Sequence, residues 1–373
     1  MTRLRHRTAT LATALLLALV ACGGEQEAAA APSASTGVPA FEVDPGWPRL
    51  PPNYRLASAI GLMVDRQGHV WVSHRAELLT DSMLALAKEQ PGIPAPLVME
   101  LDADGNVVQA WGDHGHVQDY PPVLHSLFED HNGFIWTTAR EQHQLIKFTR
   151  DGKPVLTIGK LNQSGGSDDV TTLGRPADLQ VDPETNELFV VDGYTNRRVI
   201  VFDAETGAYK RHWGAYGEPP DDAYQPDTLA TTPSRQFNLV HSLVLSNDGL
   251  VYVADQNNSR VQVFDLSGKF VTEKIVRAGD GAATALALSH EPDQHFLYVG
   301  DGTEDKIWIL RRSDLEVLGQ FGSRGSAPGQ FGRPHNMDVD TQGNLYVTEA
   351  APGMRVQKFK FMGYAPLAAA TQP

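Results

Sequence analysis

Cysteine is almost missing from this 373-residue chain; the single copy is Cys22. The folded part therefore has no disulfide and no thiolate, which excludes a cysteine-ligated zinc site and a thiol enzyme. Positive charge is also scarce. Lys and Arg number 31 against 45 Asp and Glu, a formal charge of −14. Phosphate backbones are gripped by clustered Lys and Arg, so this balance argues against nucleic acid as a partner. Long apolar runs are lacking as well. The run Leu11 to Ala21 falls short of the ~20 residues that span a bilayer, and no amphipathic helical stretch of note follows it.

The start of the chain reads as a sorting signal. Arg3, Arg5 and Arg7 precede the apolar run, which ends in Leu19-Val20-Ala21-Cys22 and is followed by Gly23-Gly24. Small residues before a cysteine resemble the bacterial lipobox, in which the cysteine is acylated and becomes the new N-terminus. That resemblance implies a signal peptide over 1–21 and membrane attachment through a lipid on Cys22. With Gly23 rather than Asp next, it implies the outer membrane of a bacterial envelope. Ordinary signal cleavage is the alternative. Residues 22–40 are rich in Ala, Ser, Pro and Glu and read as a lipidated flexible tether. Residues 41–366 make up the folded domain and 367–373 a tail.

Within that domain the organising signal is self-similarity at roughly 40 to 60 residues, the period of propeller blades. The units begin at Ile60 (IGLMVDRQGHVWVSHR), His125 (HSLFEDHNGFIWTTAR), Ala177 (ADLQVDPETNELFVVDGY), His241 (HSLVLSNDGLVYVADQ), Thr284 (TALALSHEPDQHFLYVGDG) and His335 (HNMDVDTQGNLYVTEA). Each is an alternating strand, a polar turn and a second strand. Most add a third strand such as RVIVFD or RVQVFD, and a fourth that often ends in glycine, as at Trp111-Gly112 and Trp213-Gly214. Short strands of period two separated by turn residues are the all-β signature. Four strands repeated radially predict a six-bladed β-propeller, since a β-sandwich would not repeat its sequence six times. Phe41 to Pro51 is placed to supply a closing strand to the last blade. Ala76–Pro96, with a short helix over DSMLALAKE, and Ala215–Arg235 are expected as rim loops.

The first residue of each unit is one structural position repeated around the axis: Ile60, His125, Ala177, His241, Thr284 and His335. Histidine occupies alternate blades, so three imidazoles should face one another about 120° apart around the channel. Three imidazoles with an open position are the pattern of a catalytic zinc site. Calcium alone does not suit this ring, because hard cations take oxygen ligands. A second set of positions follows the second strand of each unit. Its recurring acids Asp192, Asp255, Asp301 and Glu349 read as turn structure. Its members that break the repeat are Arg75, Arg140 and Tyr194. A cation there could hold a substrate carboxylate, and a tyrosine beside a metal and a cation could serve as a base.

These residues resemble the peptidyl-α-hydroxyglycine α-amidating lyases, within the wider NHL-repeat propellers. The stretch RPADLQVDPETNELFVVDGYTNRRVIVF is similar to the block around that family's catalytic tyrosine, which maps onto Tyr194. Leu124-His125-Ser126-Leu127, Val240-His241-Ser242-Leu243 and Pro334-His335-Asn336-Met337 resemble its zinc-histidine segments, and Ser73-His74-Arg75 resembles one that carries an active-site arginine. The resemblance implies Zn2+ on His125, His241 and His335, Tyr194 as base and Arg75 as carboxylate holder. The reaction it implies is cleavage of a carbinolamide C–N bond in a small or peptide-derived substrate, giving an amide and glyoxylate. A monomer is expected.

Two departures stand out. The family's second arginine falls on Gln256, and the aspartate that helps hold a structural Ca2+ falls on Asn336. The first removes a cation from an anion site, and Arg140 either replaces it or serves a different substrate. The second weakens the calcium site. The family's disulfides are absent, and Thr195 follows the tyrosine. Two functions stay open: an envelope-anchored zinc lyase, and a non-catalytic NHL-type propeller that presents its mouth to a peptide, glycan or protein.

Overall fold

A computed structural model describes residues 36–80, 92–112, 123–225, 234–279 and 281–367. The expected signal peptide, Cys22, most of the tether, the DSMLALAKE helix and almost all of the tail lie outside the described residues. What is described is all-β: six four-stranded sheets and one two-stranded parallel pair, Tyr54–Arg55 with Ile93–Pro94. That pair brings the far end of the first rim loop back onto the segment before blade 1.

Blade 1 comprises Ala59–Val64, Val70–His74, Val98–Leu101 and Val107–Trp111. Blades 2 to 5 repeat the up-and-down pattern from Phe128 to Gly159, Asp178 to Trp213, Val240 to Ile275 and Ala285 to Phe321. Blade 6 takes three strands from the end of the chain, Pro334–Val339, Leu345–Glu349 and Arg355–Pro366. Its outer strand comes from the start, Gly37–Val43, antiparallel to Arg355–Pro366. The closing strand thus begins inside the stretch read as tether and ends before Pro51. Val38 is fully buried in the core between blades 5 and 6, which pulls this strand in.

The core consists of six seams, each between two neighbouring blades. One aromatic per blade, at the same place in the second strand, fills them: Trp71, Trp136, Phe189, Tyr252, Tyr298 and Tyr346, all at most 2% exposed. The turns before these strands are tied by carboxylates. Asp65 accepts the backbone N–H of Gln67 and His69 and the Trp71 indole N–H, and Asp130 does the same for Asn132, Phe134 and Trp136. Regular seams hold the first strands in a ring, and the first position of each blade faces the axis.

Candidate metal centre and active site

Local backbone aims the ring residues inward. The ladder between the first and second strands slips at Ile60, His241 and His335, leaving each of these residues as a bulge between paired neighbours. A bulge redirects the side chain of its extra residue. His125 reaches the same place just ahead of its own strand, with its N–H on Thr138 O at 2.8 Å.

The three imidazoles meet. Ring centroids are 5.1 Å apart for His125 and His241, and 4.8 Å for each of the two pairs with His335. One nitrogen of each lies within 4.8 Å of the others. Exposures are 2%, 4% and 9%. The other nitrogen of each is held by the next blade. Nδ1 of His125 bonds Ala177 O at 2.8 Å, that of His241 bonds Thr284 O at 2.6 Å, and that of His335 bonds Ile60 O at 3.1 Å. The ring therefore alternates a histidine with the carbonyl of its neighbour's equivalent residue. A carbonyl only accepts, so each Nδ1 carries the proton and each Nε2 presents a lone pair.

Tyr194 closes one side. Its Oη lies 2.9 Å from His125 Nε2 and 3.0 Å from His241 Nε2. Its loop packs against the ring through Gly193, where a Cβ would come within 1.9 Å of Val240 O. One hydroxyl proton cannot serve both nitrogens, and His335 Nε2 points into the same space. Protonating the histidines does not resolve the shortage, because burial pushes His125 and His335 well below the ordinary imidazole value and His241 to about 4. Three lone pairs and a phenol oxygen with one proton among them form a site that fits a cation. The nitrogen-only donor set suits zinc.

Burial raises the Tyr194 phenol above its usual value, opposed by the charges of Arg140, Arg333 and Arg175. Arg140 lies over the ring, its guanidinium carbon 4.5 Å from the centroid, and Arg175 follows at 5.9 Å. Both pair with Glu141, Arg140 through Nε at 2.9 Å. Arg75, the carboxylate holder implied by the resemblance, stands on the blade 1 rim, with its Nε on Glu77 at 2.7 Å. Arg333 and Arg175 were not picked out by the sequence reading. Each stands two residues before a ring position, directly before a proline, and each has a left-handed backbone, with φ of 71° and 59°.

The acids after the second strands are buried and paired, as a turn role requires. Asp192 pairs with Arg198, Asp255 with Arg260, Asp301 with Arg277 and Glu349 with Arg355, and all four acids are fully buried. Gln256 opens a short helical turn on the blade 4 rim.

Known proteins resemble this chain along most of its length. The NHL repeat model matches residues 237–264. Peptidyl-alpha-hydroxyglycine alpha-amidating lyase 2 of Drosophila melanogaster is 29% identical, over 85% of this chain and 74% of that protein. Peptidyl-glycine alpha-amidating monooxygenase B of Xenopus laevis is 28% identical over 83% of this chain, which spans about a third (34%) of that protein's length. NHL repeat-containing protein 3 of Homo sapiens is 24% identical, over 86% of this chain and 84% of that one. A solved streptogramin B lyase shares the fold alone, with a TM-score of 0.53 at 10% identity, over 86% of this chain and 98% of that one. This chain is a six-bladed β-propeller that carries an NHL repeat in its fourth blade and is similar to the amidating lyases.

Behind the ring, the propeller encloses a channel of about 250 Å3 lined by Asp178, Gln180, Asn336 and Asp338. Asn336, where the family's calcium aspartate would stand, spends its amide oxygen on the Met337 N–H at 2.8 Å. Burial pushes Asp178 up to about 7 and Asp338 to about 6. A carboxyl raised from 3.8 contributes stability below pH 3.8 that is lost as pH rises through the folded value, at Asp178 near 7. An Asp178→Asn variant should therefore gain on wild type between pH 5 and pH 8, by a few kcal/mol, or several degrees in Tm. A difference in Tm that stays flat over that range would show that Asp178 titrates normally.

Among the described residues one other group could hold a metal: Asp65, His69 and Glu100. Its cation is already present, because Arg150 reaches both carboxylates.

Proposed function

We propose that this propeller is a zinc-dependent lyase that cleaves the C–N bond of an N-acylated α-hydroxyglycine or a close relative, releasing the amide and glyoxylate. The observation that carries the reading is the shortage of protons at the ring. His125, His241 and His335 present three bare Nε2 atoms to one point beside Tyr194 Oη, an arrangement a docking surface does not need. The likeness to amidating lyases supports the substrate class.

The three histidines would hold the metal, and their Nδ1–H bonds to the next blade fix the tautomer that allows it. When bound, zinc supplies Lewis acidity and the local positive charge that favours a phenolate. Tyr194 Oη takes the proton of the substrate hydroxyl, the carbon–oxygen bond becomes the aldehyde of glyoxylate, and the C–N bond breaks. The same proton finishes on the departing nitrogen, which restores the phenolate, and no oxidant or reductant is consumed. Arg140, stacked on the ring, favours the ionised phenol.

Zinc-loaded protein incubated with N-benzoyl-α-hydroxyglycine should release glyoxylate and benzamide in equal amounts, and chelation should abolish the release. Gln256, in place of the family's arginine, favours a second reading, a binding propeller without turnover. No glyoxylate from metal-loaded protein would decide for it.

A further inference from the structure

Four guanidinium groups surround the mouth of the metal ring, and they are not equivalent. Arg140 and Arg175 share Glu141, and Arg75 pairs with Glu77. Arg333 is exposed, and among the described residues no carboxylate pairs with its side chain. Its position is nevertheless built. The backbone holds φ at 71°, a left-handed conformation that is strained for a residue with a Cβ. Two bonds lock it there: its N–H donates to Asp305 Oδ1 at 2.6 Å, and its carbonyl accepts the Ala350 N–H at 3.0 Å.

Arg333 lies two residues before His335 and borders a cleft of about 590 Å3 between blades 5 and 6. Clefts of that size take small ligands. The other arginines of the cleft are engaged, Arg324 with Asp305 and Arg355 with Glu349. The charge of Arg333 is felt at Tyr194, His241 and His335, so it stands within electrostatic reach of the ring. Gln256 belongs to the same mouth. Its carbonyl accepts the Gly281 N–H, the Gly281 carbonyl accepts the Gly302 N–H, and Gly302 borders the cleft.

We infer that Arg333 holds the substrate carboxylate in this chain, taking over from the blade 5–6 side the task that an arginine at position 256 would perform, and that the cleft it borders receives that end of the substrate. Arg140 is unsuited to this task, because Glu141 already occupies its hydrogen-bonding edge and its face is on Tyr194. An unpaired guanidinium offers a carboxylate two parallel N–H bonds without breaking an existing pair.

This inference rests on the reading of the ring as a metal site for a carboxylate-bearing substrate, and binding without turnover separates the two. The full chain, loaded with zinc and assayed for metal content, is titrated calorimetrically with N-acetylglycine and with its uncharged analogue N-acetylglycinamide. Wild type should prefer the carboxylate. Arg333→Gln should lose about 10- to 100-fold in affinity for N-acetylglycine, the scale of a charged hydrogen-bonded contact. It should keep its zinc and its affinity for the amide. Arg333→Lys, which retains the charge, should fall between the two and serves if the glutamine variant folds poorly. Equal affinity of wild type and Arg333→Gln for N-acetylglycine would overturn the role of Arg333 and leave the metal reading standing. The same follows if the zinc-loaded wild type shows no preference for the carboxylate. A wild type that takes up no metal would overturn both.

Discussion

Replacing any one of His125, His241 or His335 with alanine is expected to strip the chain of its metal. Wild-type protein without a histidine tag should carry about one zinc per chain, and each variant should lose retention by several orders of magnitude, because two imidazoles cannot complete a structural or catalytic zinc shell. Elemental analysis after dialysis against a weak chelator reads this directly. The three variants should differ in metal-free stability, because the Nδ1 bonds differ. Thr138 Oγ1 also donates to Ala177 O at 3.1 Å, so His125→Ala leaves that carbonyl partnered. Among the described residues His241 is the one donor to Thr284 O, and His241→Ala leaves a buried carbonyl bare. That costs about 1–3 kcal/mol, so His241→Ala should melt below His125→Ala when both are metal-free. A fully folded wild type that takes up no metal would remove the basis of the catalytic reading.

The same ring shows why so much of this fold could be read from residues alone. Six blades carry six copies of one pattern, and a repeat allows equivalent positions to be compared within a single chain. Histidine at every second copy stood out on that comparison, as did Tyr194, and the structure brings these four side chains together. The register slips that aim His241 and His335 inward leave no mark in composition. The closing strand shares Phe41–Val43 with the segment expected from the sequence, but its start at Gly37 is hidden because Gly37-Val38-Pro39-Ala40 lacks alternation and follows a run of alanine and serine. Its pairing is decided by the far end of the chain, which local pattern cannot express.

The arginines were harder, for a different reason. Arg75 and Arg140 break the repeat just after the second strand of their units, whereas Arg175 and Arg333 break it two residues before the ring position, where the other units have Ser58, Val123, Leu239 and Ala282. Even so, sequence does not tell which guanidinium a carboxylate neutralises. Glu141 takes two of the four and Glu77 a third, and those pairings exist only once the rim loops are folded. The acids of the channel are a similar case. Asp178 follows a ring alanine and reads as an ordinary strand residue, yet burial makes it titrate near neutrality.

Tyr194→Phe is expected to abolish chemistry while leaving the site built. Phenylalanine keeps the ring under Arg140 and its packing in the blade 3–4 seam, so folding and zinc content should change little. Only the hydroxyl is lost, which lies within hydrogen-bond reach of His125 and His241. Burial alone raises this phenol above its ordinary value near 10. Left to Arg140, Arg333 and Arg175, it stays protonated at neutral pH, so it can accept a proton only where a further positive charge favours the phenolate. That charge is what a cation at three Nε2 atoms, two of them about 3 Å from Oη, would provide. Turnover of an N-acyl-α-hydroxyglycine should therefore fall by about 100-fold or more in Tyr194→Phe, the scale of a lost general base. Affinity for N-acetylglycine should stay near wild type, since the carboxylate is held at Arg333. A loss in kcat with unchanged ligand binding places Tyr194 at the reacting atoms. Full turnover by the zinc-loaded phenylalanine variant would mean that the proton leaves by another route, and the tyrosine would then be no more than a wall of the site.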